Sequence, residues 1–318
     1  MCTLILILCL VFLSAGISVF IWLNRDPGQG DPEWQRFLLE ERAERFQDMG
    51  GYRIRYVELG RGSPVLLIHG FGDSSYSWHK NIRSIASAGF RVIAVDFPGM
   101  GFSGSPDNFS FSVEDLGREI LRFTKRIGVR RFHLVGNSMG GGISLYLSLY
   151  HPRNINRAVL VDPACYPDAG MQIRLMVRFA ALRSIMSNIA GVWTVRLALR
   201  QIYADPSRVT EVMVAEYSRP FRRKEFRGIL VRLITGYFSG TLVAMKRKYP
   251  EMSRPSLIVW GKHDRWLRAS TIARWLHRDL RGSGLVVVDD AGHVPHQEQA
   301  ERFNSLVIGF LKGTAGGC

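Results

Sequence analysis

The sequence predicts an α/β fold in which helices flank a mostly parallel sheet, and two observations support this. Short runs of apolar and β-branched residues recur along the chain, most of them bounded by Gly, Pro or Asp. Stretches with helical periodicity, such as 113–127, separate several of these runs. An alternation of strands and helices is typical of a parallel sheet with both faces covered. The predicted strands are residues 52–59, 65–69, 92–97, 132–136, 158–161, 257–260 and 285–288.

The first 24 residues predict an N-terminal transmembrane helix. No charged residue occurs from Thr3 to Leu23, and a helix of this length, at ~1.5 Å per residue, spans the ~30 Å of hydrocarbon in a bilayer. A cleaved signal peptide is the alternative, but its only candidate cleavage site, Ser14–Gly16, lies in the middle of the apolar run. Lys and Arg are absent before the span and frequent after it, which favours a folded domain on the cytoplasmic side. The arginines that follow are Arg25, Arg36, Arg42 and Arg45.

The remaining chain divides into a linker, a core and an insertion. Residues 25–49 predict a linker rich in Pro, Gly and Asp and an N-terminal helix. Residues 163–256 have helical character without a convincing strand, as in the apolar stretch Met171–Met186. We therefore expect one core, built from residues 50–162 and 257–318, and an inserted helical cap.

The chain is strongly basic, with a formal net charge of +15, and most of the excess lies in the cap. Residues 163–256 carry 16 Lys and Arg against 6 Asp and Glu. Attraction to anionic lipid head groups is the favoured interpretation, because the chain already has a predicted membrane anchor. A solvated basic face is the second. Nucleic acid is not expected as a partner, because no nucleic-acid-binding motif accompanies the basic runs.

No cofactor or metal is expected from the sequence. Cys2, Cys9, Cys165 and Cys318 are scattered without C-x-x-C spacing, which argues against a disulfide framework and a zinc site. Residues 99–104 match the G-x-G-x-x-G pattern of dinucleotide-binding loops. A turn follows them where such a loop needs the N-terminus of a helix.

A serine stands at a junction that requires a sharp bend. Residues 136–140, GNSMG, match G-x-S-x-G between a predicted strand and a predicted helix. Such a strand-to-helix turn holds the serine in a strained conformation, and side chains two positions away on either side would collide with neighbouring backbone. Gly136 and Gly140 remove that clash, and the next two glycines let the helix pack close to the sheet. We therefore predict Ser138 as a nucleophile.

A serine nucleophile needs a base, and the base needs an acid to orient it. Asp264 and His293 each follow a predicted strand, and the chain order Ser, Asp, His is typical of one class of hydrolase. The loops that follow parallel strands converge on one edge of the sheet, so these side chains are expected to meet there. Asp162, which also follows a strand, is the rival acid. His263 and His296 are rival histidines, and Pro295 argues against a helical metal-binding pair of His293 and His296.

The stretch from Leu66 to Trp78 contains a His-Gly turn after a strand, where a backbone amide can stabilise a developing oxyanion. We predict the backbone amides of Phe71 and Met139 as the oxyanion hole, with their side chains shaping the pocket. His69 is expected to be a structural hydrogen-bonding residue. Trp78 fits a pocket wall and the core equally well.

Over residues 50–312 the chain resembles the α/β-hydrolase family. The resemblance rests on "HGFG", "DFPGMGFSG", "GNSMGG", "GKHD" and "GHVPHQE", which occur in the expected order. It implies the α/β-hydrolase fold with an inserted cap. Within the family the chain is similar to capped serine hydrolases, both membrane-anchored monoacylglycerol lipases and esterases and the carbon–carbon bond hydrolases of aromatic ring degradation. Asn137 before the serine resembles the carbon–carbon hydrolases, whereas the predicted anchor resembles the lipases.

The expected activity is that of a serine hydrolase, cleaving a lipid-like carboxylic ester through an acyl-enzyme on Ser138. Two alternatives stay open. One is carbon–carbon bond hydrolysis of vinylogous diketo acids, and the other is a non-catalytic binding or scaffolding protein that keeps the fold. The expected partners are a small-molecule or lipid ester and the membrane, contacted through the N-terminal helix and the basic cap.

Overall fold

The computed structural model describes residues 28–166, 191–238 and 240–314. The predicted anchor, residues 1–24, and the apolar cap stretch Met171–Met186 lie outside these ranges. Within them, no single helix has the length and apolar composition needed to cross a bilayer. One pair of helices, Glu225–Tyr237 and Gly240–Glu251, meets that requirement jointly but is bent by 46°.

The described strands form one eight-stranded, mostly parallel sheet, as the sequence predicts. Its strand order is β1-β2-β4-β3-β5-β6-β7-β8. The pairings of β2 with β1 and with β4 are antiparallel, and all the others are parallel. The carboxyl ends of β3 to β8 therefore lie at the same edge. The strands are β1 (Glu44–Asp48), β2 (Arg53–Leu59), β3 (Ser63–Ile68), β4 (Phe90–Val95), β5 (Phe132–Asn137), β6 (Ile155–Val161), β7 (Ser256–Gly261) and β8 (Gly284–Val288).

Helices connect the strands and fill the described part of the interval between β6 and β7. In the core they are α1 (Pro32–Glu40), α2 (Ile82–Ser87), α3 (Val113–Arg126), α4 (Met139–Tyr150), α9 (Arg274–Asp279), α10 (Pro295–Glu298) and α11 (Ala300–Lys312). In the interval they are α5 (Val192–Ile202), α6 (Glu211–Ser218), α7 (Lys224–Tyr237) and α8 (Gly240–Lys248). The described part of this interval contains helices and no strand, as expected for a cap.

Strand β1 was not predicted. It lies in the segment predicted as linker and N-terminal helix, of which α1 is the helix. Its sequence, ERFQD, is largely exposed because it forms the sheet edge and pairs only with β2. This strand carries no apolar run, so the pattern that located the other strands does not detect it.

Two hydrophobic layers cover the sheet, and adjacent residues of one strand enter different layers. Leu66 and Ile68 of β3 pack in the layer with α3, α4, α7 and α8. Val65 and Leu67 pack in the layer with α1, α2, α5, α6 and α11. Successive side chains of a strand point to opposite faces of the sheet. Because a hydrophobic layer covers each face, the residues of β3 from Val65 to Ile68 are all apolar. The described cap helices contribute to both layers, so the cap packs over the edge where the strands end.

Candidate active site

Ser138 occupies a strained turn between β5 and α4. Its backbone angles are φ 54° and ψ −116°, a region that residues other than glycine rarely adopt. Three hydrogen bonds hold this conformation. The Ser138 amide donates to the carbonyl of Val161 at 2.9 Å, and the Ser138 carbonyl accepts from the amides of Ala164 at 2.9 Å and Gly142 at 3.1 Å. The turn is the one predicted for a nucleophile.

The glycines around Ser138 are needed for close backbone packing. A Cβ atom on Gly140 would clash with the carbonyl oxygens of Ile68 and His69, and one on Gly136 would clash with the carbonyl of Gly140. Gly142 was expected to let the helix approach the sheet, but its nearest neighbour lies in the cap. A side chain there would meet the hydroxyl of Tyr237 in the cap.

Asp264 and His293 meet at the carboxyl edge of the sheet. Asp264 follows β7, His293 follows β8, and a hydrogen bond of 2.8 Å joins His293 Nδ1 to Asp264 Oδ2. The other carboxylate oxygen accepts from the amides of Trp266 at 2.8 Å and Leu267 at 2.9 Å. Burial opposes ionisation of Asp264, but the charge and hydrogen bond of His293 outweigh it and lower its pKa. With Nδ1 donating to a carboxylate, Nε2 is left as the acceptor for a proton.

Asp162 lies beside this pair without a hydrogen bond to the histidine in the described structure. Its Oδ1 accepts from the amide of Gly261 at 3.0 Å. A cluster tight enough for a metal ion is formed by one oxygen or nitrogen atom from each of Asp162, Asp264 and His293, and these atoms lie within 4.8 Å of one another. The hydrogen bond between His293 and Asp264 already uses two of the three groups that a metal would need as ligands. The cluster therefore fits a catalytic triad better than a metal site. Asp264 therefore makes the contact that the sequence analysis assigned to it in preference to Asp162.

Ser138 and His293 both line a cavity of about 280 Å³. No hydrogen bond joins their side chains in the described structure. Most of the wall is aliphatic or aromatic, and Arg227 is the only arginine or lysine among the described residues that line it. No described carboxylate forms an ion pair with Arg227. The apolar wall consists of Phe71, Val195, Ala198, Leu199, Ile202, Phe221, Leu230, Val231, Ile234, Trp266 and Val294.

The predicted oxyanion-hole residues lie on two sides of Ser138. Phe71, in the turn after β3, lines the cavity. Met139 begins α4 directly after Ser138, so its amide lies at the first turn of a helix, where intrahelical acceptors are missing. The prediction that both side chains shape the pocket is wrong for Met139, whose side chain packs in the hydrophobic layer under α4.

Contacts that the sequence does not indicate hold the His293 loop. The amide of His293 donates to the cap carbonyl of Ile202 at 2.7 Å. The Glu298 carboxylate accepts from the amides of Gly292 at 2.7 Å and Ala204 at 2.8 Å, joining the loop to the cap. The motif "GHVPHQE" contains Glu298, but a motif does not reveal a partner that lies about ninety residues away in the chain.

Asn137 and Asp73 are two further polar groups of the site that the sequence analysis did not assign. Asn137 Nδ2 donates to the carbonyl of His293 at 3.0 Å, which ties the nucleophile turn to the histidine loop. Asp73 lines the cavity and accepts from the amide of Ser74 at 2.6 Å. Burial raises the pKa of Asp73 to about 7, so this carboxyl is largely neutral below that pH.

The other aromatic and histidine candidates lie outside the reacting centre. His69 is fully buried, contacts the carbonyl of Gly70 and stacks on Phe97, in agreement with a structural role. Trp78 belongs to the core, where it packs against His296. His296, one of the rival histidines, is fully buried and its Nε2 contacts Ser77. His263 is exposed.

Comparison with known proteins identifies the family. Residues 65–306 match the Alpha/beta hydrolase family, which is more than half of the chain. The chain belongs to this family. The α/β-hydrolase fold predicted from the motifs is thereby confirmed for the sheet and its flanking helices.

One relative and two solved structures match most of the length of this α/β hydrolase. It is 29% identical over 274 residues to 2-hydroxy-6-oxononadienedioate/2-hydroxy-6-oxononatrienedioate hydrolase of Escherichia coli (strain K12), covering 81% of this chain and 91% of the relative. Among solved structures, the meta-cleavage product hydrolase from Pseudomonas fluorescens IP01 is 24% identical with a TM-score of 0.71, covering 83% of this chain and 95% of the other. A membrane phospholipase A described as a bacterial virulence factor is 23% identical with a TM-score of 0.68, covering 100% of both chains.

Replacing Gly140 with alanine is expected to disrupt the turn at Ser138. The new Cβ would overlap the Ile68 carbonyl, which is backbone and cannot rotate away, so α4 must shift against β3. We expect a loss of stability of roughly 1–3 kcal/mol, typical of overpacking, together with a fall in the labelling rate of Ser138. Thermal denaturation and labelling with a fluorophosphonate measure the two effects.

Gly228→Ala is the matched control, because nothing lies within 4 Å of a Cβ built there and the residue is inside helix α7. This substitution is expected to stabilise the protein by roughly 0.5–1 kcal/mol and to leave labelling unchanged. Equal melting temperatures of Gly140→Ala and the wild type would contradict the packing argument.

Proposed function

We propose that this α/β hydrolase is a serine hydrolase that forms an acyl-enzyme on Ser138. The observation that supports this most directly is the buried hydrogen bond of 2.8 Å between His293 and Asp264, at the same cavity as a serine in a strained turn. In the proposed reaction His293 Nε2 removes the Ser138 proton, and Oγ attacks the carbonyl carbon of the substrate. The backbone amides of Phe71 and Met139 stabilise the oxyanion.

The same histidine completes both halves of the proposed reaction. His293 gives its proton to the leaving group as the tetrahedral intermediate collapses to the acyl-enzyme. It then removes a proton from water, which attacks the acyl carbon and releases the acid and free Ser138. Asp264 keeps the imidazole oriented and compensates its positive charge in both steps.

The non-catalytic alternative is tested on Ser138 itself. Ser138→Ala is expected to lower kcat by about 10⁴- to 10⁶-fold with the fold unchanged, as for loss of a triad nucleophile. A fluorophosphonate probe should label the wild type and not this variant. Equal labelling of both folded proteins, or none of the wild type, would favour a binding protein.

Carbon–carbon bond hydrolysis is the first substrate candidate, and the comparisons favour it over the lipid ester that the sequence analysis put first. Breaking such a bond requires a carbon leaving group, which conjugation to a keto acid stabilises. The substrate therefore carries a carboxylate, and Arg227 supplies a cation in a mostly apolar cavity. Curated relatives with 29% identity are named as hydrolases of oxo-dienedioates.

Hydrolysis of a carboxylic ester with an apolar acyl chain is the second candidate. The largely aliphatic wall of the cavity favours it, because burying an alkyl chain there is worth ~0.8 kcal/mol per methylene. The structural likeness to a membrane phospholipase A over the whole of both chains also supports it.

A substrate panel combined with one cavity variant separates the two candidates. The panel contains esters of graded acyl length and one ring-cleavage diketo acid. If the diketo acid is the substrate, Arg227→Gln should raise its KM by about 10- to 100-fold, as expected for loss of a charge-assisted contact, and change ester hydrolysis little. Arg200→Gln, an exposed arginine of α5, is the control and should change neither. Turnover that rises with acyl length and is independent of Arg227 would favour the ester.

We further propose that residues 1–24 anchor the protein in a membrane and that the basic cap contacts anionic lipid. Deleting these residues should leave hydrolysis of a soluble short-chain ester nearly unchanged. Activity on a long-chain monoacylglycerol in anionic liposomes should fall, and added salt should deepen the loss because it screens the charged cap. An equal effect of truncation and salt on both substrates would contradict the proposal.

A further inference from the structure

A second carboxyl group lies within reach of the catalytic histidine. Asp162 follows β6, the strand next to β7, which Asp264 follows, so both loops end at the same edge of the sheet. One oxygen of Asp162 lies within 4.8 Å of both the Asp264 carboxylate and a ring nitrogen of His293. This upper limit is about 2 Å longer than a hydrogen bond, so at most a small side-chain rotation separates Asp162 from hydrogen-bonding distance of the pair.

Asp162 is held in an unusual backbone conformation with an unused oxygen. Its φ is 41°, a left-handed value, and its amide donates to the carbonyl of Val259 at 3.0 Å. Oδ1 accepts from the amide of Gly261, but the fully buried Oδ2 has no hydrogen-bond partner among the described residues. A buried polar atom without a partner is uncommon and indicates a functional or electrostatic reason.

We propose that Asp162 is a second acid of the triad, whose carboxyl orients His293 when Asp264 cannot. The inference rests on the proposed function, since it requires His293 to act as the base for Ser138. It makes Asp162 a positioning residue, because it acts through the histidine and touches no substrate.

The electrostatics explain why only one of the two acids is charged in the resting protein. Burial, the nearby Asp264 charge and a side-chain interaction with the Asp264 carboxyl raise the pKa of Asp162, and Glu298 acts in the same direction while the Gly261 amide opposes it. Two neighbouring buried carboxyls do not both ionise readily, so Asp264, with its partners His293 and Leu267, keeps the charge. When Asp264 becomes an amide, the like charge disappears and Asp162 ionises more easily.

The test compares fluorophosphonate labelling rates of Ser138 in the wild type, Asp264→Asn, Asp162→Asn and the double variant. We expect Asp264→Asn to slow labelling by about 10²-fold and the double variant by about 10⁴-fold, the loss typical of a triad without its acid. Asp162→Asn alone should slow it by less than about tenfold, because Asp264 remains. This excess loss in the double variant measures the coupling between the two sites.

The pH dependence gives a readout that a purely structural role would not change. The ratio of the Asp264→Asn rate to the double-variant rate cancels the titration of His293 and the chemistry of the probe. Asp162 must be ionised to orient the imidazole, and its pKa is raised, so the ratio should be near one at low pH and increase with pH to a plateau. Should the double variant fail to fold, the Asp264→Asn rate relative to the wild type shows the same increase.

Asp289→Asn is the control for an acid-to-amide change nearby, because Asp289 is exposed and pairs with Lys262. It should leave labelling unchanged. Equal rates of Asp264→Asn and the folded double variant at every pH would overturn the role of Asp162. Failure of the wild type to be labelled would instead overturn the proposed function, so the two failures are distinguishable.

Discussion

The backbone strain at Ser138 is the constraint on which the rest of the site depends. A non-glycine residue at φ 54° and ψ −116° costs about 1–3 kcal/mol, which the surrounding structure must compensate. Hydrogen bonds to Val161 and Ala164, residues of β6 and the loop after it, hold the turn from one side. Direct backbone contact of α4 with the end of β3 holds it from the other side, which is possible only because residue 140 is glycine. The position of the nucleophile is therefore set by the backbone packing of three parallel strands.

The histidine loop depends on the cap as much as on the core. Asp264 orients the imidazole from β7, while Ile202 and Ala204 of the cap hold the loop backbone, directly and through Glu298. Each of these contacts joins residues far apart in the chain, so their loss is expected to affect the base without unfolding the sheet. A movement of the cap segment around Ile202 would displace His293 together with the cavity wall. Ile202 thus contributes both to the cavity wall and to the position of the His293 loop.

Much of this arrangement could be predicted from the sequence, because buried parallel strands are continuous apolar runs and the motifs at their ends have fixed spacing. The strands β2 to β8 and the meeting of Asp264 with His293 follow from those local signals. Strand β1 could not be predicted, since its exposed sequence, ERFQD, has no apolar pattern. The roles of Glu298 and Asn137 depend on contacts between distant segments, and the inward side chain of Met139 depends on which face of α4 is covered. Local patterns contain neither kind of information.

The triad and the oxyanion turn come from the sheet, whereas most of the apolar cavity wall comes from the cap. A serine with its base can attack any acyl carbon that is brought to it, so the choice between a carbon and an oxygen leaving group depends on what the cap binds. Arg227, the cation of the wall, lies on α7 in the cap, and so do Leu230, Val231 and Ile234, which extend the apolar surface on the same helix. One helix therefore presents both a cation and an apolar surface to the cavity. Under the proposed function, the relative contribution of that charge and that surface to binding determines which substrate class the cavity accepts.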